Sequence, residues 1–163
     1  MLWLFAIFSG FVALGVFIYR NYLLRKRFFD SLLSFCSHLE IEINFSKSII
    51  PQVIERYSHG YCKNFRAMLA GYSDLINTKQ DISKENLNQL LWNKLKSHEK
   101  ANVLDFLYEL GRHGSSEENQ KIQAKMVTFK KFHKLSETAL AKDASIYLKI
   151  CIIVGIASVI LLV

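Results

Sequence analysis

The sequence predicts an all-α protein, an antiparallel helical bundle with a transmembrane helix at each end of the chain. Three observations predict it. Charge-free apolar stretches stand at both termini. The apolar residues between them recur at spacings of three and four, the period of a helix face. The composition is 51% hydrophobic with one proline and seven glycines, too few turn formers for an all-β chain and too apolar for disorder.

Residues 1–19 carry no charged side chain. At 1.5 Å per residue they cover most of a hydrocarbon core of about 30 Å. A secretory signal would place its positive charge before a shorter apolar run and end at a small-residue cleavage site. Here Arg20, Arg25, Lys26 and Arg27 follow the run, so a retained anchor is expected. The next apolar residues are Phe28, Leu32, Phe35, Leu39 and Ile43, one stripe on a helix. No glycine or proline interrupts the chain from Phe17 to Ile50. The anchor is therefore expected to run on into the central region as one rod, closed near Pro51, which disfavours helical angles in the residue before it.

A short helix is expected over 51–57, followed by the turn formers Ser58, His59 and Gly60. Tyr61, Phe65, Met68, Leu69, Tyr72 and Ile76 mark the next helix. Residues 77–81 are polar and read as a loop. Ser83 should cap a helix that carries Leu87, Leu90, Leu91, Trp92 and Leu95. Ser97 should cap the one that carries Val103, Leu104, Phe106, Leu107 and Leu110 and ends at Gly111 or Gly114. Ser115 and Glu118 have capping-box spacing. From there Ile122, Met126, Phe129, His133, Ser136 and Leu140 form a stripe, with Phe132 and Leu135 on a second one.

The last apolar run, 150–163, is short for a span. Lys149 can snorkel along its methylene stem, so the span is expected to begin near Ala144. Three regions follow: an anchor over 1–19, a helical bundle over 20–143 and an anchor over 144–163. Basic residues flank the bundle at both boundaries, Arg20, Arg25, Lys26 and Arg27 on one side and Lys142 and Lys149 on the other, which predicts a cytoplasmic bundle. Small residues, Ala6 and Gly10, Ala13 and Gly15, Gly155 and Ser158, could let the anchors or neighbouring subunits approach closely.

Function is bounded mainly by exclusion. The net charge of +7 concentrates at the membrane boundary and along the last long helix, so anionic lipid or a protein partner is expected rather than nucleic acid. Cys36, Cys62 and Cys151 form no C-x-x-C pair, which fits a reducing compartment. His38, His59, His98, His113 and His133 make no paired-histidine metal motif. The glycines of Gly111-Arg112-His113-Gly114 follow no strand, so no phosphate loop is read there. Glu40 and Glu42 are two residues apart and point to different helix faces, unsuited to paired acid/base work. No catalytic residue, metal or cofactor is expected.

Residues spread along the whole chain carry a resemblance. Leu39-Glu40-Ile41-Glu42-Ile43-Asn44-Phe45 followed by Val53-Ile54, then Leu107-Tyr108-Glu109-Leu110-Gly111 leading to Gln120-Lys121-Ile122, and Tyr147-Leu148-Lys149 entering a glycine-containing apolar terminus resemble the stage III sporulation protein AB family. The resemblance implies a sporulation complex in the mother-cell membrane facing the forespore. It also implies a cytoplasmic helical domain similar to that of the platform proteins of type II secretion. The expected role is docking of a secretion-type cytoplasmic ATPase to other membrane subunits of a channel. A contact surface is expected at Glu40, Glu42, Arg112, His113, Glu117 and Lys121, polar residues near the helix turns. The alternative is an oligomeric pore-lining subunit, which would need inward polar residues such as Ser9 and Ser158.

Overall fold

The computed structural model describes residues 2–45, 49–78, 82–110 and 115–162. Every regular element among them is helical: α1 (Leu2–Phe45), α2 (Ile50–Tyr57), a 3-10 turn (Ser58–Gly60), α3 (Lys63–Asn77), α4 (Lys84–Leu90), α5 (Ser97–Glu109), α6 (Ser115–Ala139), a π-helical turn (Leu140–Ala144) and α7 (Ser145–Leu162). The chain forms two compact units. One comprises Met1–Lys26 with Lys134–Val163, the other Arg27–His133.

In the terminal unit the two chain ends pair as antiparallel helices. A Cβ placed on Gly15 would lie 3.0 Å from Leu148 Cδ1 and 3.1 Å from Cys151 Cβ, and one on Gly155 would lie 3.1 Å from Phe8 Cδ2 and 3.3 Å from Phe11 Cβ. The partner's number falls as the residue number rises, which sets the direction. One glycine on each helix lets the backbones close in where a side chain would hold them apart. Gly10, by contrast, has nothing within 4 Å, and Ala6 and Ala13 are exposed. Two helical stretches, Phe5–Ile43 and Glu117–Leu161, are long and apolar enough to cross a membrane.

A π turn stands between the stripe of α6 and the apolar terminal helix α7. Its reason lies in the packing. Phe132, Ser136 and Ala144 are buried and Leu140 and Leu148 half-buried, a run of four-residue steps. An α-helix of 3.6 residues per turn would rotate such a run off its neighbour by about 40° a step. A wider turn absorbs that drift.

The central unit is built on an aromatic core. Phe28, Phe35 and Phe65 meet edge to face, with Phe65 centred 5.3 Å from Phe28 and 5.9 Å from Phe35. Tyr61 adds a further edge contact 5.4 Å from Phe65. Such pairs add about 0.5–1.5 kcal/mol beyond their burial. The predicted stripe of α3 is this core: Tyr61, Phe65, Met68, Leu69 and Tyr72 are all buried. The buried hydroxyl of Tyr72 donates to Leu107 O at 3.0 Å, using a carbonyl left over at the end of α5.

Two predicted boundaries shift. The helix after Ser83, whose Oγ accepts from Asn86 N at 3.2 Å, stops at Leu90 instead of reaching Leu95. Leu90, Leu91 and Trp92 are consecutive, and one helix face cannot bury all three. Leu91 takes extended angles, φ −69° and ψ 138°. Leu91 and Leu95 are then buried, and Trp92 stacks on Phe28 at 5.9 Å. The next helix is capped one residue earlier than expected, at Lys96 rather than Ser97. The Glu99 carboxylate reaches back to accept from Lys96 N at 3.0 Å, the returning half of a capping box. The end of α5 lies at Glu109, and the expected glycine ending, 111–114, falls outside the described residues.

Burial also sets the chemistry of Cys36. Desolvation pushes its thiol from 9.0 up to about 12, and burial raises the Tyr61 phenol as well. A folded value above the unfolded one stabilises the fold fully below pH 9, and that contribution is lost as pH rises toward 12, by about 1.4 kcal/mol per pH unit. The denaturant midpoint of the detergent-solubilised chain is therefore expected to fall between pH 9 and 11, and to fall less in Cys36→Ala. Maleimide at pH 8 should label half-buried Cys62 while sparing Cys36. Equal labelling of the two in the folded chain would contradict this environment.

Candidate functional site

The residues expected at a contact surface divide. Glu42 is 3% exposed. It stands one helix repeat beyond Phe35 and one turn beyond Leu39, and so continues the buried stripe of α1. A carboxylate there needs partners. It accepts from Arg56 Nη1 at 2.6 Å and from the Tyr57 hydroxyl at 2.9 Å, and it holds the Arg56 guanidinium above its ordinary value. Glu42 thus fastens α2 to the end of α1 and is withdrawn from the outer surface. The same period that marks Phe35 and Leu39 marks Glu42, a signal available in the sequence and overridden there by residue type.

Glu40 lies on another side of α1, where Gln123 Nε2 donates to its Oε1 at 2.6 Å. Glu117 and Lys121 are exposed one turn apart on α6. Lys121 borders a hollow with Phe106, Glu109, Leu110 and Lys125 whose volume, about 10 Å³, admits no more than one water. Arg112 and His113 lie outside the described residues. Of the expected set, Glu117 and Lys121 stand one turn apart on α6, and Glu40 meets the same helix at Gln123.

Further polar links within the central unit were not read from sequence. His38 stacks on Tyr57, ring centroids 4.0 Å apart, and its Nδ1 is hydrogen-bonded to the Tyr61 hydroxyl at 2.7 Å. His133, read as part of an apolar stripe, pairs through Nε2 with Asp30 Oδ1. Lys84 bridges to Asp105 at 2.7 Å, which raises the lysine above its ordinary value. Ser31 Oγ donates to Arg27 O and accepts from Cys62 N, both at 2.9 Å, capping α3 from a neighbouring helix. Ser31→Ala is expected to strand that N–H and cost about 1–2 kcal/mol in a urea melt; an unchanged midpoint would refute the cap. These groups are occupied with holding one helix on another. Among the described residues no group of three His, Cys, Asp or Glu could hold a metal.

The basic residues at the boundary lie as follows: Arg20, Arg27 and Lys149 are exposed, and Arg25 and Lys26 half-buried. Ser158 spends its hydroxyl on its own helix, donating to Val154 O at 2.8 Å.

These features define an all-helical protein with two apolar helical ends able to cross a membrane and a separate aromatic-cored helical unit. The family model described as stage III sporulation protein AB matches residues 1–163, and the chain belongs to that family. No curated protein and no solved structure matches it.

Proposed function

We propose that the chain is a non-enzymatic platform subunit of a sporulation-specific, secretion-like complex. It docks a secretion-type cytoplasmic ATPase and links it to other membrane subunits, in the mother-cell membrane around the forespore. The observation that carries this reading is the antiparallel pair of terminal helices. It turns large apolar side chains outward, Trp3 at 83% and Leu161 at 86% exposure, a surface suited to lipid and costly in water. The central unit, by contrast, encloses its aromatic side chains Phe28, Phe29, Phe35, Phe65 and Phe129 in a core of its own. Arg20, Arg25, Lys26, Arg27 and Lys149 then lie at the anionic headgroups, each contributing about 1 kcal/mol. Membership of a sporulation family supports the setting. The internal hydrogen bond of Ser158 favours a platform over the rival pore-lining reading, since that hydroxyl is already satisfied without water.

The test is capture of the ATPase by the full chain in detergent or nanodiscs. Binding is expected, and Lys121→Glu with Glu117→Lys should weaken it by about ten-fold. Failure of the wild-type chain to bind at micromolar concentrations would overturn the docking role.

A further inference from the structure

We propose, on the membrane anchoring argued above, that the turn between α4 and α5 is a further lipid contact. Lys94 and Lys96 rest there on anionic headgroups and hold the central unit against the bilayer. Both lie far along the chain from the basic residues that border the anchors.

The turn, residues 91–96, is the tip of a helical hairpin. Lys84, the first residue of α4, bridges to Asp105 of α5, so the two helices run antiparallel and the turn closes them. Helix α5 in its turn lies antiparallel to α6. The ring of His98 is centred 5.4 Å from Phe132, that of Phe106 5.4 Å from Phe129, and Leu110 borders the same hollow as Ile122. The start of α5, with the turn before it, therefore stands at the end of the central unit where α6 leaves it. The same end is where α1 enters. Trp92 stacks on Phe28 at 5.9 Å, and Phe132 meets Phe29 at 5.8 Å. The unit runs from Arg27 to His133, so the tip lies beside both crossings of its boundary.

That end is close to lipid by helix rise alone. Helix α1 is unbroken from Leu2 to Phe45. Phe28 is eight residues beyond Arg20, where the charge-free run ends, which is about 12 Å along the axis. The headgroup layer takes up about 5–8 Å of this. A screening length of about 8 Å carries its negative potential over the rest.

The chemistry of the tip suits such a surface. Leu95 is buried and pins the turn, and the lysines on either side of it are exposed. Exposed Arg27 adds positive charge at the same end. Nearby carboxylates do not oppose them: Glu99 is buried and accepts from Lys96 N at 3.0 Å, and Asp30 is paired with His133. Half-buried Trp92 is a residue favoured at headgroup level.

The experiment reconstitutes the full chain, carrying Cys62→Ser and Cys151→Ser, in phosphatidylcholine vesicles. A bimane fluorophore is placed on Asn93→Cys or, as a control, on Gln52→Cys. Gln52 is on α2, which is fastened to α1 at Glu42, about 21 Å along the helix from Phe28. The vesicles hold a minor fraction of phosphatidylglycerol or phosphatidylcholine with a nitroxide near its headgroup, and quenching reports which lipid gathers at the fluorophore. At position 93 phosphatidylglycerol should associate about ten-fold more tightly than phosphatidylcholine. High salt should remove that preference in the wild-type turn, and Lys94→Gln with Lys96→Gln should remove most of it. Position 52 should be quenched by neither lipid. Equal quenching by the two lipids at position 93, or a preference that survives both salt and the double variant, would overturn the proposal. If the double variant keeps the preference and loses ATPase capture, the lysines belong to a protein partner instead. A chain that alkaline carbonate washes off the vesicles fails the anchoring itself. One that stays in the bilayer and shows no preference fails this contact alone.

Discussion

Phe65→Ala is expected to unfold the central unit at a temperature about 15–20 °C lower than wild type, the largest effect of any single change considered. Phe65 is fully buried and lies in edge contact with Phe28, Phe35 and Tyr61 at centroid distances of 5.3, 5.9 and 5.4 Å. Truncating a buried phenylalanine costs about 3–5 kcal/mol, from lost transfer energy and from the cavity left behind. Here the cavity opens between α1 and α3, where rings from both helices would have to move together to fill it. In a domain of this size each kcal/mol shifts the melting temperature by about 4–8 °C. Phe65→Leu should recover more than half of the loss. A melt of Phe65→Ala within a few degrees of wild type would mean that this cluster is not the centre of the fold.

Gly155→Leu is expected to loosen the pairing of the terminal helices, whereas Gly10→Leu should leave it unchanged. A Cβ at 155 would already lie 3.3 Å from Phe11 Cβ, an atom fixed to the opposing backbone, while nothing lies within 4 Å of Gly10. Overpacking of this kind costs about 1–3 kcal/mol, and between helices in lipid close approach is itself a main source of attraction. The comparison is read as thermal stability in one detergent. Equal effects at the two glycines would show that the helices do not meet at Gly155.

Much of this architecture is legible in the sequence because a long amphipathic helix writes its period plainly. The stripe Phe28, Leu32, Phe35 and Leu39, the stripe from Tyr61 to Tyr72 and the two apolar ends required only spacing and composition. Features decided by contact between helices were harder to see. Gly10 and Gly15 look alike in sequence, and only the partner helix tells the open one from the tight one. Three consecutive apolar residues, Leu90, Leu91 and Trp92, suit a helix or a turn equally until Phe28 offers Trp92 a stacking surface. In sequence Glu42 reads as a polar residue near a helix turn, and the partners that let it be buried, Arg56 and Tyr57, come from another helix. The π turn follows from a drift that is visible only once the buried residues are known.

In the function proposed, lipid holds both ends of the chain and leaves the helical unit between them inside the cell. A single exposed cysteine at Asn93, in the turn between α4 and α5, tests it through labelling with a membrane-impermeant maleimide. Protoplasts expressing Asn93→Cys should show no labelling at that position while intact and full labelling once permeabilised. Labelling of the intact protoplasts at the permeabilised level would place the unit on the other side of the membrane and contradict the account.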